Sequence, residues 1–351
     1  MWIPRISLER TARRLALAAL LGFVSGAPPA MAQAVITFQD SLAAYRNADY
    51  DTAFAGFRAL AESGDADAQA YVALMYAEGQ GVTRDMDQAV AWYRRAAELG
   101  QLDSQFALGL IYQQGEAGPR NMSEAVRWYG AAAAAGHREA RFELGLIHAT
   151  GDGVVQDETR AAELFRQAAE DGHIDAQHNL AILYLNGQGV AQDEPQAAQW
   201  FERAAEAGHP DAQYNLALIY DKGIGVAADA LRADKWYRKA AASGIADAEV
   251  GLGLLAYEGR GVEQDFGEAA ARFAAAADRG NGRGQYYLSV LYAQGQGVEA
   301  DLIEAYKWYE LARERGVTFE PYETKLMANV GAAEIAEGKE RAAAWRKSRA
   351  Q

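Results

Sequence analysis

Few side chains in this sequence have the type and spacing that chemistry needs. No Ser-x-x-Lys, Gly-x-Ser-x-Gly or His-Glu-x-x-His pattern occurs, and no phosphate-binding or calcium-binding loop is present. The chain lacks cysteine. That excludes a thiol nucleophile, a cysteine zinc site, an iron–sulfur cluster and a disulfide framework. Five histidines remain. His137, His173 and His209 recur at a 36-residue interval, which raises a metal ladder. Zinc needs its ligands at ~2.0–2.1 Å. Stacked helices stand ~8–10 Å apart, so the column reads as polar turn residues. His148 replaces a tyrosine in its column and reads as a packing residue, whereas His178 is a candidate for a groove. Trp92, Trp128, Trp200, Trp236 and Trp308 invite a ligand cage, but their phase favours packing. No catalytic, cofactor-binding or metal-binding residue is assigned.

The elements that carry these residues follow from glycine. Gly64, Gly100, Gly136, Gly172, Gly208, Gly244, Gly280 and Gly316 are each 36 residues apart. A second lattice holds Gly-x-Gly pairs, such as Gly79/Gly81, Gly187/Gly189 and Gly295/Gly297. A third is all alanine, from Ala89 to Ala305, and a fourth all aromatic, from Tyr93 to Tyr309. Self-similarity at this period means a repeat architecture. Ala68, Val72, Met75 and Tyr76 mark one helix face, and Ala89, Tyr93, Ala96 and Ala97 another. Each repeat therefore holds two short helices, A over about 67–78 and B over about 86–99 in the first. Period-2 alternation is missing, so strands are not expected.

Local chemistry supports the hairpin. The glycines permit positive φ where helix A ends. Asp85, Asp157, Asp193, Asp229, Asp265 and Asp301, with Asn121, stand where helix B needs an N-cap. The column of Ala73, Gly109, Gly145, Ala181, Ala217, Gly253 and Ser289 is small, which lets helices approach closely. In the second repeat Gly115-Glu116-Ala117-Gly118-Pro119 replaces Gly-x-Gly-Val, so an altered loop is expected there.

The pattern resembles the Sel1-like repeat family, a relative of the tetratricopeptide repeat. It is clearest in His209-Pro210-Asp211-Ala212-Gln213-Tyr214-Asn215-Leu216-Ala217-Leu218-Ile219-Tyr220, then Gly223-Ile224-Gly225-Val226, Asp229, Ala233 and Trp236-Tyr237. The resemblance implies an all-α, right-handed superhelical solenoid of helix-turn-helix repeats, with helix A lining its concave face. Seven repeats span 65–316, a tetratricopeptide-like hairpin at 35–64 caps the front, and 317–351 form a closing helical region.

Residues 1–32 read as an export signal. Arg5, Arg10, Arg13 and Arg14 precede an apolar run from Leu15 to Val24, and Ala30-Met31-Ala32 has the form of a cleavage site. Arg13-Arg14 hints at the twin-arginine route, but the general secretory route fits better. Removing four arginines and one glutamate moves the charge from −14 to −17. So acidic a chain argues against nucleic acid.

What remains is surface. The resemblance implies a non-catalytic adaptor of the bacterial envelope, a monomer in the periplasm with protein or peptide partners and no membrane span once mature. The alternatives are an envelope hydrolase of cell-wall or β-lactam substrates, or a secreted host-directed factor. Specificity is expected in the variable columns of helix A. One runs from Tyr71 through Glu143, Asn179 and Asn215 to Tyr287, and another includes Gln114 and Lys222. With His178 these are the candidate partner-binding residues. Asn179 and Asn215 attract notice because one amide can pair with both groups of a peptide bond.

Overall fold

The computed structural model describes residues 37–349. The export-signal segment 1–32 lies outside them. Every regular element among the described residues is an α-helix. The chain divides after Gln192 into two compact units. The first holds α1 (Phe38–Arg46), α2 (Tyr50–Glu62), α3 (Ala66–Glu78), α4 (Met86–Glu98), α5 (Leu102–Gln114), α6 (Met122–Ala134), α7 (Arg138–Thr150), α8 (Glu158–Glu170) and α9 (Ile174–Asn186). The second holds α10 (Glu194–Glu206), α11 (Pro210–Lys222), α12 (Ala230–Ala242), α13 (Ala246–Glu258), α14 (Phe266–Asp278), α15 (Gly282–Gln294), α16 (Leu302–Glu314), α17 (Glu320–Asn329) and α18 (Ala332–Arg349). Within each unit consecutive helices up to α16 pack on one another as helix-turn-helix repeats, and α18 packs on α16. None of the described helices is long and apolar enough to cross a membrane.

Caps set helix length. From α3 to α16 every helix is 13 residues long. Each B helix starts at the expected Asp, or at Asn121, whose side chain accepts a backbone N–H of the first turn. Each A helix of these repeats ends at a left-handed glycine, such as Gly187 at φ 69°. The second glycine of the pair has a further duty. At Gly189 a Cβ would overlap the Glu158 carbonyl at the start of α8. The second repeat's loop departs as expected: Gly118, not position 117, takes the positive φ, and α5 and α6 keep their length.

The histidine column has a role that spacing alone left as a polar turn. His137, His173 and His209 are the N-caps of α7, α9 and α11. In each, Nδ1 accepts the backbone N–H three residues on, at 3.2 Å. Asp65, Gln101 and Asn281 do the same work in other repeats. His137 and His173 also stack on Phe106 and Phe142, with centroids 4.7 and 4.3 Å apart.

Two columns join each B helix to its neighbours. Gln69, Gln105, Gln177, Gln213 and Gln285 are buried, and each Nε2 donates to a carbonyl near the end of the preceding B helix. Each of those carbonyls also accepts the N–H of the glycine that ends the repeat, as Ala169 does from Gly172 at 3.0 Å, so the glutamine is a second donor, a remote cap that ties helix A to the end of the preceding B helix. The aromatic column meets the small one. A Cβ on Gly109 would stand 2.5 Å from the Tyr129 ring, and one on Gly145 2.8 Å from Phe165.

Two outcomes are expected. Gly109→Ala lowers stability by about 1–3 kcal/mol through overpacking, whereas Gly130→Ala on α6, with open space around it, raises it by about 0.5–1 kcal/mol. Urea unfolding of both variants checks the order. The second concerns His173, whose pKa burial pushes below the usual histidine value. The native state therefore binds fewer protons than the unfolded chain. Its contribution is complete above about pH 6.5 and fades as pH falls through the lowered value. His173→Asn, a cap that does not titrate, flattens the loss of melting temperature on acidification. An unchanged slope contradicts this.

Candidate functional site

The variable column that begins at Tyr71 faces the preceding B helix. Tyr71 of α3 stacks on Phe57 of α2 at 4.4 Å with a 9° interplanar angle. Tyr287 of α15 stacks on Phe273 of α14 at 4.9 Å. A Cβ on Gly251 of α13 would stand 2.6 Å from the Tyr237 ring of α12. The column is a seat for the aromatic ring of the helix before it.

That seat corrects part of the sequence reading. Tyr71, His178, Asn179 and Asn215 were expected at an open groove, yet they are 3%, 2%, 1% and 5% exposed. The small columns draw the helices together and close the space. Glu143 and Tyr287 are half-buried, and only Gln114 and Lys222 are exposed. Lys222 pairs with Asp221 at 3.1 Å. The candidates also divide between the units, with Tyr71, Gln114, Glu143, His178 and Asn179 in the first.

Asn179 carries the strongest unmet polar demand. Both atoms of its amide are buried and meet no hydrogen-bond partner among the described residues. Such a group costs about 1–3 kcal/mol. Glu143 holds the same column position one repeat earlier, on α7. Burial, and then the charge of Asp175 on α9, push its carboxyl up to about 7. Asp175 lies one turn before Asn179. Tyr129 of α6 feels Glu143 in turn: burial first and then that charge hold its hydroxyl well above the usual value. Near neutral pH Glu143 can therefore donate as well as accept. The first unit thus keeps a titrating carboxyl and an unsatisfied amide on successive A helices.

The tryptophan column is filled from within. Trp92, Trp128, Trp200, Trp236 and Trp308 are all buried. Each has a cation of its own helix over the ring, from Lys239 at 3.9 Å on Trp236 to Arg127 at 4.9 Å on Trp128. His148 is half-buried on α7. Sequence reasoning missed the glutamine column. Its signal was available: five glutamines in one phase, on the helix face that also carries the buried apolar residues.

Comparison with known proteins agrees with the geometry. The Sel1 repeat family model matches residues 66–101, 102–137, 138–173, 174–209, 210–245, 246–281 and 282–317. A solved Sel1 repeat protein from Oxalobacter formigenes is 34% identical, with a TM-score of 0.62, over 82% of this chain and 86% of its own. A protective antigen of uropathogenic Escherichia coli that displays an SLR fold is 27% identical, with a TM-score of 0.45, over 88% of this chain and 83% of its own. No curated protein matches the chain. Sel1 repeat proteins typically mediate protein–protein interaction. With seven repeats matched in phase and a solved relative 34% identical over 82% of its length, the chain belongs to the Sel1 repeat family.

Proposed function

We propose that this protein is a non-catalytic adaptor of the bacterial cell envelope. Residues 1–32 export it, and its A helices hold segments of partner proteins. The observation that carries this reading is the run of seven Sel1 repeats matched in phase, a repeat that typically mediates protein–protein interaction. In the first unit the exposed Gln114 of α5 and the half-buried Glu143 of α7 offer donors and acceptors on successive A helices. Rigid helix pairs preorganise such a surface and reduce the entropy lost on binding. The acidic chain favours partners with basic surface. Export is supported by the sequence of the first 32 residues, and cell fractionation that leaves the processed chain in the cytoplasm contradicts it.

Two outcomes test the site. Asn179→Ala removes an orphaned group, so its melting temperature stays at or above that of the wild type. The Gln114→Ala/Glu143→Ala variant, still helical by circular dichroism, loses the proteins that the wild type retains from an envelope extract. An unchanged partner set removes these residues from the site. The second outcome concerns pH. A carboxyl raised from 4.5 to about 7 binds a proton more tightly in the native state, so its contribution to stability is complete below about pH 4.3 and declines as pH rises to about 7. Glu143→Gln stays neutral. It is more stable than the wild type at pH 8 by up to about 3 kcal/mol, and the gap closes near pH 4.5. A gap that does not vary with pH contradicts the assignment.

A further inference from the structure

One position in the second unit lacks a ring that every other repeat carries, a tyrosine in five of them and His148 in the third. Tyr76, Tyr112, Tyr184, Tyr220 and Tyr292 occupy one place on helix A, and the sixth repeat has Ala256 there. The surroundings of these rings recur. The Tyr112 hydroxyl accepts from Arg94 at 2.6 Å, and the Tyr184 hydroxyl from Arg166 at 3.4 Å. Tyr220 donates to Glu202 at 3.4 Å and accepts from Arg232 at 3.2 Å. Tyr76 lies edge-on to Phe54 at 5.3 Å.

Each of these neighbours has a counterpart around Ala256. Arg238 follows Arg94, Arg166 and Glu202 in phase, Glu268 follows Arg232, and Asp234 follows Phe54. All three line a cavity of about 400 Å³ between α12, α13 and α14, with Leu252, Ala256 and Val262 as its apolar part. That volume lies in the ~300–1,000 Å³ range of ligand pockets. The cavity therefore lies where a phenol stands in five other repeats, with Arg238 in the place of Arg94 and Arg166, and the acidic Glu268 and Asp234 in the places of Arg232 and Phe54. Arg238, without a tyrosine to meet, turns to Asp234 at 2.8 and 2.9 Å.

The rim has a definite charge. Asp234, Glu263, Asp265 and Glu268 line the cavity against the single cation Arg238. Glu268 is engaged by Arg272 at 2.7 Å, and Asp265 caps α14. Glu263 is exposed and makes no ion pair among the described residues. A ring entering this slot thus meets apolar walls inside and carboxylates at the mouth.

We propose that the slot binds a tyrosine side chain of a partner protein that carries a basic residue beside it. The ring replaces the missing one, its hydroxyl lies within the reach of Arg238, and the basic neighbour pairs with Glu263. This rests on the protein-binding reading above for the source of the ring. It uses a different surface from Gln114 and Glu143, so either can fail alone.

The test is calorimetric titration of the full chain with acetyl-Lys-Tyr-Lys-amide. Acetyl-Lys-Ala-Lys-amide and tyramine serve as comparison probes. The wild type binds the tyrosyl peptide at least about tenfold more tightly than the alanyl peptide. Ala256→Tyr fills the slot with the residue that five other repeats carry there, keeps the helical spectrum, and weakens the tyrosyl peptide by about tenfold or more. Glu263→Lys changes an exposed residue and also weakens it. Equal binding by wild type and Ala256→Tyr, or no binding by the wild type, overturns the proposal. Tyramine bound as tightly as the peptide overturns the assignment to a partner protein. None of these results bears on the envelope-extract experiment with Gln114 and Glu143.

Discussion

The structure depends on one close approach. In the second, third and sixth repeats the aromatic ring of helix B faces a glycine on helix A. Tyr129 meets Gly109, Phe165 meets Gly145 and Phe273 meets Gly253, with no room for a Cβ. The other face of the ring meets the next A helix, as Phe57 meets Tyr71 and Phe273 meets Tyr287. The ring thus locks three helices at once. Close packing of this kind tolerates neither added nor lost volume. It also demands that every helix start and stop at the same point. The aspartate caps, the left-handed glycines and the remote glutamine caps supply that registration.

Much of this was legible because it is local. A capping aspartate or a C-terminal glycine acts on the backbone within four residues, so its phase in the sequence reveals its task. Asp193 and Gly187 are examples. The histidines were half legible. Their place at the mouth of helix A was plain, but an imidazole used as a cap needs a ring orientation that spacing does not encode. In His173 the stacking on Phe142 supplies it.

The column from Tyr71 was misjudged for a different reason. Variability suggested solvent, and helical phase did not exclude it. Burial there comes from a ring on another helix, 14 residues earlier in the chain for Phe57 and Tyr71. Such a contact appears only when two helices are placed together. The seat holds a stacked tyrosine at Tyr71 and Tyr287 and a glycine at Gly251, each close against the ring. The polar occupants are the informative ones. Asn179 brings to the interior an amide that meets no partner among the described residues, and Glu143 a carboxyl that burial pushes up to about 7. Ala256 is the converse, a place where five other repeats carry a tyrosine and a cavity lies instead.

The central claim is that the ring of helix B and the small residue of helix A form one interaction. A double-mutant cycle on Gly109 and Tyr129 isolates it. With Tyr129→Ala as the background, the ring that forbids a Cβ is gone. Gly109→Ala is then predicted to raise stability, by about 0.5–1 kcal/mol of helix propensity, where in the intact chain it lowers it. A Gly109→Ala cost that is the same in both backgrounds would contradict the account.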